Sequence, residues 1–134
     1  MMHPLNLPLK SFFLFSTAIF GFITVLLGAF GAHMLKDVLN SEMKAIFETG
    51  IRYQMFHTLA LGLLAVLDDT LFKKLAVPAG WFFIFGIILF SGSLYTLALT
   101  SVRIWGAVTP VGGLLFLFGW GGLALSCLKN GETS

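Results

Sequence analysis

The chain has 134 residues, 57% hydrophobic and 10% charged, with eight basic and six acidic side chains and a net charge of +2. A water-soluble domain carries about 25% charged residues, so this composition, with a mean hydropathy of +0.95, cannot cover a solvated surface. The basic residues are scattered singly, which leaves no nucleic-acid footprint, and a single cysteine, Cys127, leaves no internal disulfide and no Cys/His metal spacing.

The charges fall in the gaps between four uncharged stretches, 11–35, 53–67, 75–102 and 104–128. A charge deep in hydrocarbon costs a few kcal/mol or more, so a bilayer sorts charges to the ends of spans. The apolar runs are continuous, as in 82–90, rather than alternating as in barrel strands. Helices then remain to satisfy the backbone in lipid. The expected fold is all-α: one integral membrane domain over 1–134, a four-transmembrane-helix bundle with spans at about 11–32, 48–67, 76–100 and 106–128. A short amphipathic interfacial helix is expected between spans 1 and 2.

The apolar part of span 1, residues 12–30, is longer than the roughly 7–15 residues of a signal-peptide core and reads as a retained span. Gly21, Val25, Gly28 and Ala32 share one face, a stripe of small residues suited to close helix packing. Next, Leu35, Val38, Leu39, Met43, Ile46 and Phe47 recur at helical spacing among Lys36, Asp37, Glu42 and Lys44. That pattern suits an interfacial helix, with Asn40 or Ser41 as its cap.

Span 2 has an uncharged part of about 15 residues, too short to cross about 30 Å at 1.5 Å per residue. With Asp68 and Asp69 fixing its far end, it must reach back through Arg52 to Glu48. These two are spaced i, i+4 with the acid first, the favourable order for an ion pair; the other reading is that each snorkels separately to the headgroups. Lys73 and Lys74 are expected in a turn. Span 3 begins at Leu75 or Pro78, with Trp81 as an interfacial anchor. Arg103 lies in the next turn, and Thr109 and Pro110 sit in the first turn of span 4. Gly112, Gly119 and Ser126 repeat every seven residues and read as a packing face.

Four spans put both termini on one side, with Lys10, Lys73, Lys74 and Lys129; the other side has Lys36, Lys44, Arg52 and Arg103. Arg52 belongs to a helix rather than a loop, and discounting it puts both termini in the cytoplasm.

The alternation also gathers polar side chains into one half of the bundle: His33, Glu48, Arg52, Tyr53, Gln54, His57, Tyr95, Arg103 and Thr109. His57, well within the hydrocarbon, needs a hydrogen-bond partner. Three readings stay open. The cluster holds the helices together, or it lines a small cavity or relay around His57, or His33 and His57 ligate a haem or metal. No acidic or cysteine partner stands at ligand spacing, so no metal or cofactor is expected, and no nucleophile–base pair marks an enzyme.

Several motifs carry a resemblance. In order they are Gly28-Ala29-Phe30-Gly31-Ala32-His33, then Thr49 through Ala60 (TGIRYQMFHTLA), Phe90-Ser91-Gly92-Ser93-Leu94-Tyr95, and Thr109-Pro110-Val111-Gly112-Gly113 with Gly119-Trp120. They resemble domain-of-unknown-function family 423, small bacterial inner-membrane proteins with small eukaryotic relatives. The likeness runs from about Gly21 to Leu125; Met34 stands where the pattern has glycine, and Arg52 lies outside it. It implies a four-span inner-membrane protein, with His33, Tyr53, His57, Ser91, Ser93, Tyr95 and Thr109 among its motif residues, and no substrate, reaction or cofactor. The function expected is a structural or accessory component of the bacterial inner membrane. The alternative is a small channel or transporter subunit using the polar half-bundle around His57. Expected partners are the lipid bilayer and a homo-oligomer or larger membrane complex.

Overall fold

The computed structural model describes residues 8–131. It is all-α: α1 (Leu9–His33), α2 (Ser41–Ala65), α3 (Asp69–Thr100) and α4 (Trp105–Gly131), joined by short turns. Three of these, α1, α3 and α4, are long and apolar enough to cross a membrane. The less apolar α2 solves its own problem by position. It packs against α1 on one side and α3 on the other, and ten of its 25 residues are buried. By contrast, α1 buries only Phe13 and Thr24 and turns Phe22, Val25 and Leu26 outward. Lipid tails are as apolar as leucine, so the outer helices can stay bare while the polar helix is wrapped.

The amphipathic segment expected after span 1 is present and begins where its cap predicts. Asn40 Oδ1 accepts the Met43 N–H at 2.8 Å, which satisfies one of the orphan donors of the first turn. From Ser41 the helix runs unbroken into span 2, giving α2 25 residues and a length of about 37 Å, enough to cross the bilayer. Span 3 departs further from expectation. Asp68 accepts from the N–H groups of Thr70 and Leu71 and starts α3 at Asp69, so Lys73 and Lys74 are helical rather than in a turn. Pro78 then lies inside a continuous helix, directly after a π-helical turn, Phe72–Ala76. Proline cannot donate backwards and its ring crowds the preceding turn; the wide turn absorbs both defects. By contrast α4 starts at Trp105, within one residue of the expected start, and Pro110 lies inside the helix, beyond its first turn.

The interior is layered. A large apolar cluster around Phe13, Leu61, Phe72, Phe83, Ile87 and Phe116 occupies the half nearer the α2–α3 turn. A smaller one of Leu35, Met43, Phe47 and Ala98 occupies the other end. Between them lies a layer of buried polar residues: Gln54, His57, Thr58, Ser91 and Ser93. Among the described residues there are two ion pairs, both at bundle ends: Lys10–Asp69 at 3.1 Å and Arg103–Glu42 at 3.9 Å.

Candidate functional site

The polar layer is a set of bridges between helices. Gln54 on α2 holds its two neighbours at once. Its Nε2 donates to the Phe20 carbonyl of α1 at 3.1 Å, and its Oε1 accepts from the Tyr95 hydroxyl of α3 at 2.8 Å. One turn earlier, Gly50 lets α3 approach. A side chain there would run into the Tyr95 ring, and in its absence Ser91 Oγ donates to the Gly50 carbonyl at 2.7 Å. The Tyr95 ring also packs on Phe47, with centroids 5.1 Å apart. Ser93 Oγ meets Thr109 Oγ1 at 2.6 Å and ties α3 to α4. Thr58 Oγ1 is the exception: buried, with no hydrogen-bond partner among the described residues.

His57 ties α2 to α4. Its Nδ1 lies 2.8 Å from the Tyr53 carbonyl, which can only accept, so Nδ1 carries the proton. Its Nε2 lies 3.0 Å from the indole nitrogen of Trp120, which can only donate, so Nε2 is the acceptor. The tautomer follows from the two partners. The ring lies flat on Phe116, centroids 3.5 Å apart and 8° from parallel, with Phe56 and Phe83 edge-on at 5.2 and 5.4 Å. Both nitrogens are thus occupied, and both ring faces or edges are enclosed by aromatic carbon.

Other candidates lie elsewhere. His33 is exposed at the last residue of α1, about 24 Å of helix rise from the level of His57, so the two histidines do not share a ligand site. Glu48 and Arg52 are both exposed, and no ion pair joins them. Arg103 pairs instead with Glu42 across the α3–α4 turn. The glycines divide. Gly112 and Gly119 meet α3 closely: a Cβ on Gly112 would strike the Phe90 backbone, and one on Gly119 the Phe83 ring. A Cβ on Gly21 or Gly28 would meet no atom of another helix within 4 Å. At these two glycines the α1 stripe therefore meets no other helix of the chain. Ser126 is partly buried on α4.

Sequence reasoning grouped Gln54 with the polar half without seeing it as the hub, and it missed Trp120 and Phe116 as the partners of His57. Trp120 had a signal. It stands 15 residues after Trp105, about 22 Å along the helix, too deep for an interfacial anchor. A buried indole N–H needs an acceptor.

A groove opens beside this layer, between α2 and α4, with Phe90 of α3 at its floor. It exists because α2 and α4 each pack along α3 rather than along one another. Its volume is about 840 Å³, and apart from Arg52 its lining is uncharged. Among the described residues no group of three or more His, Cys, Asp or Glu is placed to hold a metal.

Three membrane-length apolar helices packed in one bundle with a less apolar one, the ion pairs among the described residues lying at its ends, define a multi-pass α-helical membrane protein. The family model described as "Protein of unknown function (DUF423)" matches residues 27–113, and the chain belongs to that family. It is 50% identical over 103 residues to a UPF0382 membrane protein of Staphylococcus epidermidis, covering 76% of this chain and 83% of the relative. It is 44% identical over 121 residues to the UPF0382 inner membrane protein YgdD of Escherichia coli K12, covering 88% and 90%. No solved structure matches the fold.

Proposed function

We propose that the chain is a structural or accessory component of the bacterial inner membrane, a self-closed bundle whose intramembrane polar groups serve to join its helices. The observation that carries this reading is the pairing of the polar layer. Both nitrogens of His57 and both ends of the Gln54 amide are engaged within the chain. A proton relay needs partners that can both take and give a proton, and neither the Tyr53 carbonyl nor the Trp120 indole does both. The channel or transporter alternative has the weaker support, since the groove beside His57 is lined mainly by apolar carbon. The inner-membrane placement rests on the likeness to the inner membrane protein YgdD of Escherichia coli. Both termini in the cytoplasm is the orientation proposed when Arg52 is set aside from a count of four basic residues at each end; a reporter fused after Ser134 should be active in the cytoplasm, and periplasmic activity would reverse the orientation.

Flux through reconstituted vesicles tests the functional reading. Vesicles holding a pH-sensitive dye should leak protons no faster with the protein than without it, and His57→Ala should leave that rate unchanged. Proton or ion flux in wild-type vesicles that His57→Ala abolishes would replace this reading with the channel alternative.

A further inference from the structure

The groove between α2 and α4 has a chemistry of its own, independent of the bridges beside it. Its walls are Phe56, Leu114, Leu117 and Trp120, and its floor is Phe90. Arg52 is its only charged lining residue; the side chain is exposed and has no anion partner among the described residues. An unpaired guanidinium at the hydrocarbon border is costly unless an anion meets it.

The depth identifies that anion. The exposed Arg103–Glu42 pair marks the headgroup zone, and Arg52 lies ten residues further along α2, about 15 Å. Long helical side chains lean toward the helix N-terminus, so the guanidinium is drawn back along the groove toward the headgroups, closing part of that distance, and a phosphate must sink to meet it. Tyr53, also lining the groove, offers a hydroxyl that makes no hydrogen bond among the described residues. From Pro110 to Trp120 the α4 wall runs about 15 Å, half of the roughly 30 Å hydrocarbon thickness and so the acyl depth of one leaflet.

We propose that this groove seats one anionic phospholipid of the leaflet at the α3–α4 turn, its phosphate on Arg52 and an acyl chain running along α4 to Trp120. Arginine grips phosphate bidentately, and a net negative headgroup leaves the guanidinium charge balanced where a zwitterionic one does not.

The test uses the full chain in nanodiscs, with Trp81→Phe and Trp105→Phe so that Trp120 alone fluoresces. Lipids brominated on the acyl chain quench tryptophan on contact. Brominated phosphatidylglycerol should quench Trp120 at about five-fold lower mole fraction than brominated phosphatidylcholine. Arg52→Gln should abolish the preference, and Arg52→Lys should keep most of it. Equal quenching by the two lipids in the Arg52 protein overturns the proposal, and so does a preference that survives Arg52→Gln. Should Arg52→Gln fail to fold, the comparison of lipids in the Arg52 protein decides alone. Quenching by neither lipid would mean that a second copy or another protein covers the groove, which also overturns it.

Discussion

Inside hydrocarbon a side-chain amide is worth keeping only if both of its ends are matched, and Gln54 meets that condition with one end on each neighbouring helix. Replacing it with leucine should lower stability by about 1–2 kcal/mol, since interhelical hydrogen bonds in membranes are worth less than their vacuum strength suggests. Thermal unfolding in detergent measures this. Tyr95→Phe should cost less, and the double variant Gln54→Ala/Tyr95→Phe should lose less than the sum of its parts; strict additivity would contradict the bridge. Thr58 is the opposite case. Its hydroxyl is buried without a partner, so Thr58→Val removes an unmatched group and should be neutral or stabilising by up to about 1 kcal/mol. Ser101 caps α3 with a left-handed backbone, φ 57°, a conformation glycine adopts without penalty. Ser101→Gly should raise stability by a few tenths of a kcal/mol up to about 1 kcal/mol in the same assay.

At the scale of elements, the glycines show what a sequence repeat can and cannot say. Gly112→Ala would drive a methyl into the backbone of Phe90, which no rotamer change can relieve, so α3 and α4 must part at a cost of about 1–3 kcal/mol. Gly28→Ala enters open space and should be neutral or slightly stabilising. The seven-residue spacing on α4 and the small stripe on α1 look alike in sequence, because periodicity reports a shared face and not what the face meets. The helices themselves were legible, since lipid sorts charge as sharply as it does. Their ends were less so. Lys73 and Lys74 look like turn residues, and Pro78 looks like a helix start, yet the Asp68 cap and the π-helical turn carry α3 through both. A cap is a local contact that sequence suggests, whereas a widened turn is a tertiary accommodation with no pattern of its own.

For the whole molecule, the polar half was legible as a half and not as a network. Alternating spans place Tyr53, His57, Tyr95 and Thr109 toward one end, but the partners depend on which helices touch. With α2 central, Gln54 reaches both neighbours, and Trp120, on a helix that barely meets α2, becomes the acceptor-seeking donor for His57. Glu48 and Arg52 illustrate the converse. Their spacing favours an ion pair, but both side chains are exposed and neither is drawn to the other. Near the headgroups a surface pair is worth little, which leaves Arg52 free for the groove.

The account rests on the polar layer being joined within the chain, and His57 reports that most directly. Nitrogen-15 NMR of the imidazole in lipid bilayers at neutral pH should show a neutral ring protonated at Nδ1, with Nε2 as a hydrogen-bond acceptor whose signal shifts in Trp120→Phe. A ring protonated at both nitrogens, or a neutral ring carrying its proton on Nε2, would contradict the network on which this reading of the bundle stands.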